Sequence, residues 1–225
     1  MDLIFRIVGL LPKYLADVGN FLINPSELML KKSDGSEGRF VEALLFLAVS
    51  IVIVVLLSLS AYVGRDISAH LEYTSVGEGL ELLLFAAALR VSWGIVGGKA
   101  GYKTLLIASA YPFSLGIVVI SFCQLVGRGL VKVSNPATYK QMLAMIQTSS
   151  QNISIFLDNL SMQIYALIVV AGYLFVLLWY FRGWSAYRAL NAQTRDRSAV
   201  AMFMTMLLSI PIEYVYKYTE AAILG

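Results

Sequence analysis

Few side chains in this sequence could carry out chemistry, and those few are isolated. Cys123 and His70 are the only cysteine and the only histidine among 225 residues. Transition metals require clusters of such ligands and a disulfide requires a second cysteine, so the sequence predicts no metal site and no disulfide. Thiol–imidazole catalysis is not expected either, because Cys123 lies in an apolar run far along the chain from His70. We interpret His70 as a solvated loop residue.

The motifs of other catalytic classes are also missing. Serines are numerous, but there is no G-x-S-x-G nucleophile motif and no glycine-rich loop that would cradle a phosphate. The net charge is only +3, and no basic run with interleaved aromatic residues points to nucleic acid. We therefore predict that the protein is not an enzyme, holds no cofactor and binds no nucleic acid.

Three charged residues lie in apolar runs, and Arg90 is the one that most needs a partner. An arginine near the middle of a membrane costs about 2.5–3.5 kcal/mol and usually faces a partner within a helix bundle. Glu81 precedes Arg90 by nine residues, which places it on the opposite face of a shared helix. We predict an interhelical contact of Arg90 with Glu213 or with the hydroxyl of Tyr111. The alternative is that Arg90 snorkels to the headgroups beyond its helix end.

These residues belong to apolar runs long enough to cross a membrane. Hydrophobic residues make up 59% of the chain and charged residues 14%, whereas soluble domains have roughly 45–50% and 25%. A membrane-spanning helix needs about 20 mostly apolar residues. We predict an all-α transmembrane domain over residues 39–225 with five spans, of which the second and fifth are the weaker. The spans are residues 43–63, 79–97, 105–126, 162–181 and 198–216.

Small residues and prolines mark where these helices would approach one another or bend. The spacing of Gly94, Gly97 and Gly98 permits close helix packing, although Gly97 and Gly98 fit a helix end equally well. Pro112 and Pro211 are predicted to lie inside spans, where neighbouring groups satisfy the carbonyls that proline frees.

Residues 1–38 are predicted to form a cytoplasmic segment at the membrane interface. On a helical wheel the first twenty-odd residues divide into one apolar and one polar face. The apolar face comprises Leu3, Ile4, Ile7, Val8, Leu10, Leu11, Tyr14, Leu15, Val18, Phe21 and Leu22. The polar face comprises Asp2, Arg6, Lys13, Asp17 and Asn20. A second short helix should start at Asn24-Pro25, and a further amphipathic helix at Asn135-Pro136, because each pair reads as an N-cap followed by proline.

The distribution of basic residues predicts the orientation, since cytoplasmic loops are richer in Lys and Arg. With a cytoplasmic N-terminus, eleven basic residues fall inside and five outside, leaving Arg90 in the membrane. The inner ones are Arg6, Lys13, Lys31, Lys32, Arg39, Lys99, Lys103, Arg182, Arg188, Arg195 and Arg197. The outer ones are Arg65, Arg128, Lys132, Lys140 and Lys217. The N-terminus is therefore predicted inside and the C-terminus outside.

Several short motifs occur in a familiar order. The segment 21–27, the Gly97-Gly98-Lys99 step, the segment 101–106 and the segment ending in Tyr111-Pro112 follow one another as they do in a known family. Over roughly residues 22–217 the chain resembles the Yip family of Ypt/Rab-interacting membrane proteins, particularly its shorter bacterial branch. The resemblance implies five spans, a cytoplasmic N-terminus, and a structural kink at Pro112 in which the Tyr111 hydroxyl satisfies the freed carbonyl.

The departures from the family bear on function. Eukaryotic relatives bind prenylated Rab-type GTPases and one another, but their Asp-Leu-x-Gly-Pro motif and long cytosolic N-terminal region are absent here. This argues against a Rab-type GTPase as partner and favours a bacterial cytoplasmic membrane. We predict a scaffold, an accessory subunit or an organiser of membrane shape that acts with the lipid bilayer and with a protein partner or a second copy. The alternative is a small transporter or channel component built on Arg90, Glu81 and Glu213.

Overall fold

The computed structural model describes residues 2–61, 67–148 and 159–224, with side chains throughout except at 2–8, 67–69, 146–148 and 213–224. In these ranges the chain is all-α and contains no strand, as predicted. The helices are α1 (Asp2–Ile23), α2 (Pro25–Lys32), α3 (Glu37–Ser58, continued by a 3-10 turn, Leu59–Ala61), α4 (Ile67–Ile95), α5 (Tyr102–Ser134), α6 (Pro136–Thr148), α7 (Leu160–Leu190) and α8 (Arg195–Leu224).

Three of the helices are long and apolar enough to cross a membrane by length and composition. They are α3 with its 3-10 turn, α5 and α7. These three helices indicate a membrane protein. The other two predicted spans fall on α4, which ends two residues before the predicted span does, and on α8. These helices have 29 and 30 residues, but their described parts are not apolar enough to count among the candidate spans. Their lower apolar content has a simple cause, because both helices carry acidic and basic residues along their length.

The helices extend beyond the apolar runs that predicted them. α5 continues eight residues past position 126 and α7 nine residues past position 181. α4 begins at Ile67, so His70 lies on a helix rather than in a loop, and its Nε2 is 2.8 Å from the Ser58 hydroxyl of α3. The interpretation of His70 as a solvated loop residue is therefore wrong. A helix ends where its backbone meets a capping or breaking residue, and hydropathy does not mark that point.

Local capping signals place several helix ends correctly. The Asn24 side chain accepts from Glu27 N at 3.3 Å and donates to the Glu27 carboxylate at 3.0 Å, and Pro25 opens α2. Asn135 accepts from Thr138 N at 3.1 Å where α6 begins. Both starts were predicted. Each asparagine accepts a hydrogen bond from a backbone N–H group that has no acceptor within the helix. The residue that marks the helix start in the sequence is therefore the residue that caps it.

α5 lies at the centre of the bundle. In the most apolar stretch of each helix, 72% of α5 is buried, compared with 44% of α3 and 11% of α7. α7 therefore leaves most of its apolar stretch at least partly exposed. α5 packs on α3 and α7, α4 packs on α8, and α2 packs on α7. We call the end of the bundle that carries α2, the α4–α5 connection and the α7–α8 connection the hairpin end.

Candidate functional site

One stripe of α1 docks on the bundle. At about 100° per residue its members fall on one side of the helix. The stripe comprises Leu10, Tyr14, Asp17 and Phe21, of which Leu10 is partly buried and the others are buried. Asp17 was predicted on the polar face, and this placement is wrong. A helical wheel separates apolar from polar side chains, but it does not foresee a buried carboxylate that meets a buried cation.

A second stripe of α1 is apolar and partly open. It comprises Leu11, Leu15, Val18 and Leu22: Leu15 is 62% and Leu22 42% exposed, whereas Leu11 and Val18 are partly buried against the core. Lys13 and Asn20 lie on the remaining, exposed side. The side chains of residues 2–8, which were also assigned to the two faces, lie outside the described residues. Over residues 10–22 the predicted apolar face is thus packed on protein along one side and exposed at Leu15 and Leu22.

A cluster of charges holds α1, α2 and α3 together. The buried Lys32 ammonium lies 3.1 Å from the Asp17 carboxylate and 3.3 Å from that of Glu42. The Glu42 carboxylate also pairs with the Lys13 ammonium and the Arg39 guanidinium, each at 2.8 Å. One cation thus joins a carboxylate of α1 to one of α3. Charge-assisted hydrogen bonds of this kind are stronger than neutral ones and lose strength if any partner is removed.

α2 is fastened to α7 by a separate set of contacts. The Ser26 hydroxyl donates to Arg182 O at 2.7 Å, and Arg182 Nη2 donates to Ile23 O at 3.2 Å. Met29 is fully buried, and a β-carbon placed on Gly183 would lie 3.0 Å from its sulfur. Gly183 therefore lets α2 lie close against α7. Together with the charge cluster, these contacts fix the α1–α2 hairpin at two points.

Tyr14 and Tyr111 link the hairpin to the centre of the bundle. The Tyr14 hydroxyl lies 3.0 Å from that of Ser50, and burial raises the pKa of Tyr14 while this hydrogen bond opposes the rise. Phe46 packs on both tyrosine rings. The Tyr111 hydroxyl is buried with no hydrogen-bond partner among the described residues, so it does not satisfy a carbonyl freed by Pro112. Pro112 itself is buried inside α5.

Arg90 is exposed and extends along its own helix. A β-carbon on Gly94, one turn further, would lie 3.1 Å from the Arg90 Nη1, so the guanidinium lies over Gly94 towards the end of α4. Glu81 is half-buried on the same helix. This geometry is that of the snorkelling alternative.

The predicted partner Glu213 has a side chain outside the described residues, but its backbone is described. Gln193 Nε2 donates to Gly97 O at 2.7 Å, so α8 begins level with the end of α4, and the two helices then run side by side in opposite directions. From that level, Arg90 is roughly 10 Å away along α4 and Glu213 roughly 27 Å away along α8. The antiparallel register therefore separates the pair in depth. Pro211 is exposed inside α8, close to Glu213.

The three candidate packing glycines lie at a helix end. Gly97 has a φ of +81°, its N–H donates to Gly94 O, and Gly98 N–H donates to Trp93 O at 2.7 Å, which together form a Schellman cap. A β-carbon on Gly98 would also lie 2.5 Å from the Asn191 side-chain oxygen. Gly94 is exposed and meets no neighbouring helix among the described residues.

The glycines that admit a close neighbour were not predicted. A β-carbon on Gly127 of α5 would lie 2.6 Å from the Tyr165 ring of α7, and one on Gly172 of α7 would lie 2.8 Å from the Cys123 sulfur of α5. The two glycines allow α5 and α7 to lie in close contact, as small residues do in membrane bundles. Gly116 lies eleven residues before Gly127 on α5, and a β-carbon on it would lie 3.2 Å from Val176 of α7. That spacing keeps one helix face, and it was the available sequence signal.

Asn191 joins the two connections of the hairpin end, and it too was not predicted. Its side chain is fully buried, accepts from Ala100 N at 3.1 Å and donates to Tyr187 O at 2.8 Å. The Tyr187 hydroxyl in turn lies 3.1 Å from that of Ser109. Its position directly after the apolar run of α7 suits a C-cap, but only the fold brings Ala100 to it.

The contacts of these residues hold helices of the bundle against one another. The described residues contain no cluster of three or more His, Cys, Asp or Glu side chains that could hold a metal. The charges around Lys32, Asp17 and Glu42 pair with one another and hold α1, α2 and α3 in place. A scan against models of protein families found no match, and searches of curated proteins and of solved structures found none either.

Proposed function

We propose that the protein is a multi-pass membrane scaffold that shapes or organises one leaflet through its α1–α2 hairpin. The observation that carries the proposal is the double apolar face of α1. One stripe is fixed to the bundle, while the adjacent stripe, with Leu15 and Leu22, is open to lipid. A helix held in this way inserts into one leaflet only, and such insertion favours curved membranes.

The membrane affinity of the open stripe follows from its area. Moving one leucine side chain fully out of water is worth roughly 1.5–3 kcal/mol. Leu15 and Leu22 are about half exposed, so the pair supplies roughly 1.5–3 kcal/mol of attraction to the interface. This attraction is enough to hold α1 in the leaflet while the helix is anchored to the bundle. A free helix of the same sequence would in addition lose conformational entropy on becoming ordered.

We further propose five spans, with α4 and α8 crossing beside the three apolar helices, a cytoplasmic N-terminus and an external C-terminus. The supporting observation is the gathering of basic residues at the hairpin end, where Lys31, Lys99, Arg188, Arg195 and Arg197 are found. Membership of the Yip family, in its bacterial branch and without a Rab-type GTPase partner, remains part of this proposal. It rests on the motifs of the sequence alone.

The transport alternative has less support. It depended on an intramembrane Arg90 paired with Glu213, and the exposed Arg90 side chain lies along its own helix at a different depth. A scaffold also suits α7, which leaves much of its apolar surface exposed for lipid, a partner protein or a second copy.

The test is reconstitution of the full chain into liposomes, with vesicle radii measured by electron cryomicroscopy. The wild-type protein should shift the population to smaller radii, and the Leu15→Ser, Leu22→Ser double variant should abolish that shift. The matched control is Ala16→Ser with Asn20→Ser, which changes the water-facing side of the same helix. Equal radii with wild type and with the leucine variant would refute the leaflet role. Reporter fusions at Met1 and Gly225 test the proposed orientation in the same membranes.

A further inference from the structure

A cleft opens between α7 and α8 below their connection. The two helices make few contacts with each other because α8 packs on α4. The cleft has a volume of about 290 Å³. Its lining includes Phe85 of α4 at the base, Leu177, Phe181 and Trp184 of α7, and Met202 and Met206 of α8. It lies along the apolar part of α7, which is one of the three helices able to span a membrane.

The polar groups that α8 and Trp184 bring to this cleft are already bonded. Thr205 Oγ1 donates to Ala201 O at 2.8 Å, and Ser209 Oγ donates to Thr205 O at 2.9 Å. The Trp184 ring N–H donates to the Ser198 hydroxyl at 2.9 Å. These groups therefore have no proton left to donate to a ligand, and Tyr180 is the other polar side chain of a mainly apolar lining. The cleft is therefore suited to a hydrocarbon chain, which needs no hydrogen bonds.

The mouth of the cleft at the hairpin end is basic. Arg188 lies four residues after Trp184 and seven after Phe181, so it continues the cleft face of α7. Arg195 lies seven residues before Met202 and continues the cleft face of α8 in the same way. Each arginine is thus roughly 6–10 Å along its helix from the apolar lining.

None of these basic groups is held in an ion pair within the described part of the protein, and Arg197 Nη1 donates to the Gln193 side-chain oxygen at 3.4 Å. The ion pairs found there involve neither arginine at the mouth nor the nearby Lys99 and Arg197. Residues 188–197 contain three arginines and one acid, Asp196. A positive field above an apolar cleft is complementary to an anion that carries a hydrocarbon tail. Arginine in particular forms paired hydrogen bonds with phosphate.

We propose that this cleft is a binding site for one anionic phospholipid. One acyl chain lies between Leu177 and Met206, and the phosphate lies between Arg188 and Arg195. The lipid fills the space that would otherwise leave apolar side chains without contacts, and it ties α7 to α8 where they diverge. This site is independent of the leaflet role of α1, because no residue of α1 or α2 contributes to it.

The test is native mass spectrometry of the full chain in a neutral detergent. The protein is titrated with phosphatidylglycerol and with phosphatidylcholine of identical acyl chains. The wild type should bind one phosphatidylglycerol in preference to phosphatidylcholine. Arg188→Gln and Arg195→Gln should each weaken phosphatidylglycerol binding about fivefold and leave phosphatidylcholine binding unchanged. Lys140→Gln, a basic residue on α6, is the matched charge control.

Variants that fill the cleft test the acyl-chain half of the site. Met206→Trp, or Leu177→Trp if the first does not fold, should abolish binding of the preferred lipid. Phe203→Trp is the matched control, because Phe203 is 60% exposed on α8 and does not line the cleft. Equal binding of the two lipids overturns the proposal, and so does binding that survives the cleft-filling variants. A dimer that forms in place of lipid binding, and that Met206→Trp disrupts, also overturns it.

Discussion

Replacing Lys32 should release the α1–α2 hairpin from the bundle. Lys32 is buried and joins Asp17 to Glu42. In the Lys32→Met variant Glu42 keeps Lys13 and Arg39, each at 2.8 Å, so its charge stays compensated. Asp17 keeps no ion-pair partner among the described residues, and only 13% of its side chain is exposed. The variant therefore strands one buried carboxylate.

The magnitude follows from that single stranded charge. Removing one partner of a buried ion pair costs about 3–5 kcal/mol. Because only one of the two carboxylates loses its compensation, we expect about 3 kcal/mol for Lys32→Met. The double variant Asp17→Leu with Lys32→Met removes both charges and should recover at least about 2 kcal/mol of that loss. Lys31→Met is the control, since the neighbouring Lys31 is exposed, and it should cost less than about 0.5 kcal/mol.

The assay is hydrogen–deuterium exchange of the backbone amides of α1 in detergent or nanodiscs. The loss should appear as local opening of α1, because a peripheral element opens without unfolding the bundle. Amides at the centre of α5 should keep their protection in every variant. The reasoning fails if the α1 amides of Lys32→Met exchange no faster than those of Lys31→Met. It also fails if the double variant recovers none of the protection that Lys32→Met loses.

Two further predictions concern the bundle. Gly127→Ala should destabilise the protein by about 1–3 kcal/mol in denaturant titrations, because its β-carbon would lie 2.6 Å from the Tyr165 ring, whereas Gly129→Ala, with open space around it, should be neutral. If both substitutions cost the same, the α5–α7 contact at Gly127 is not tight. Arg90→Lys should change thermal stability by less than about 0.5 kcal/mol, because a lysine stem reaches the same headgroup region. A large loss for Arg90→Lys would instead indicate a specific guanidinium partner.

Features whose cause is local could be predicted from the sequence. The starts of α2 and α6 depend on Asn24 and Asn135, and each cap is made within three residues of the asparagine. The three most apolar runs likewise predicted the helices able to span a membrane, because insertion depends on the summed hydrophobicity of one segment. Neither kind of inference requires knowledge of a distant part of the chain.

Features that depend on a distant partner could not be predicted. Asp17 looks like a solvent-facing residue until Lys32 and Glu42 arrive from other helices. Asn191 looks like a simple helix end, yet its side chain also accepts from Ala100, 91 residues away. Arg90 presented the opposite case, since its type suggested a buried partner and its side chain is exposed along its own helix. Asp17 and Asn191 differ from Arg90 in burial rather than in being polar. Burial is set by the assembled helices, so one segment of the sequence does not reveal it.

The charge cluster and the open stripe of α1 have opposite energetic roles, and the proposed function needs both. Lipid attraction through Leu15 and Leu22 would by itself allow α1 to leave the bundle and lie freely in the leaflet. The buried pair Lys32–Asp17 prevents this, because leaving would separate two matched charges and break the packing of Phe21 and Tyr14 on the bundle. α1 therefore transmits force between leaflet and spans only while the cluster is intact. Lys32→Met should therefore leave α1 bound to the membrane but abolish its effect on vesicle radius. This result would distinguish the anchoring of α1 on the bundle from its insertion into the leaflet.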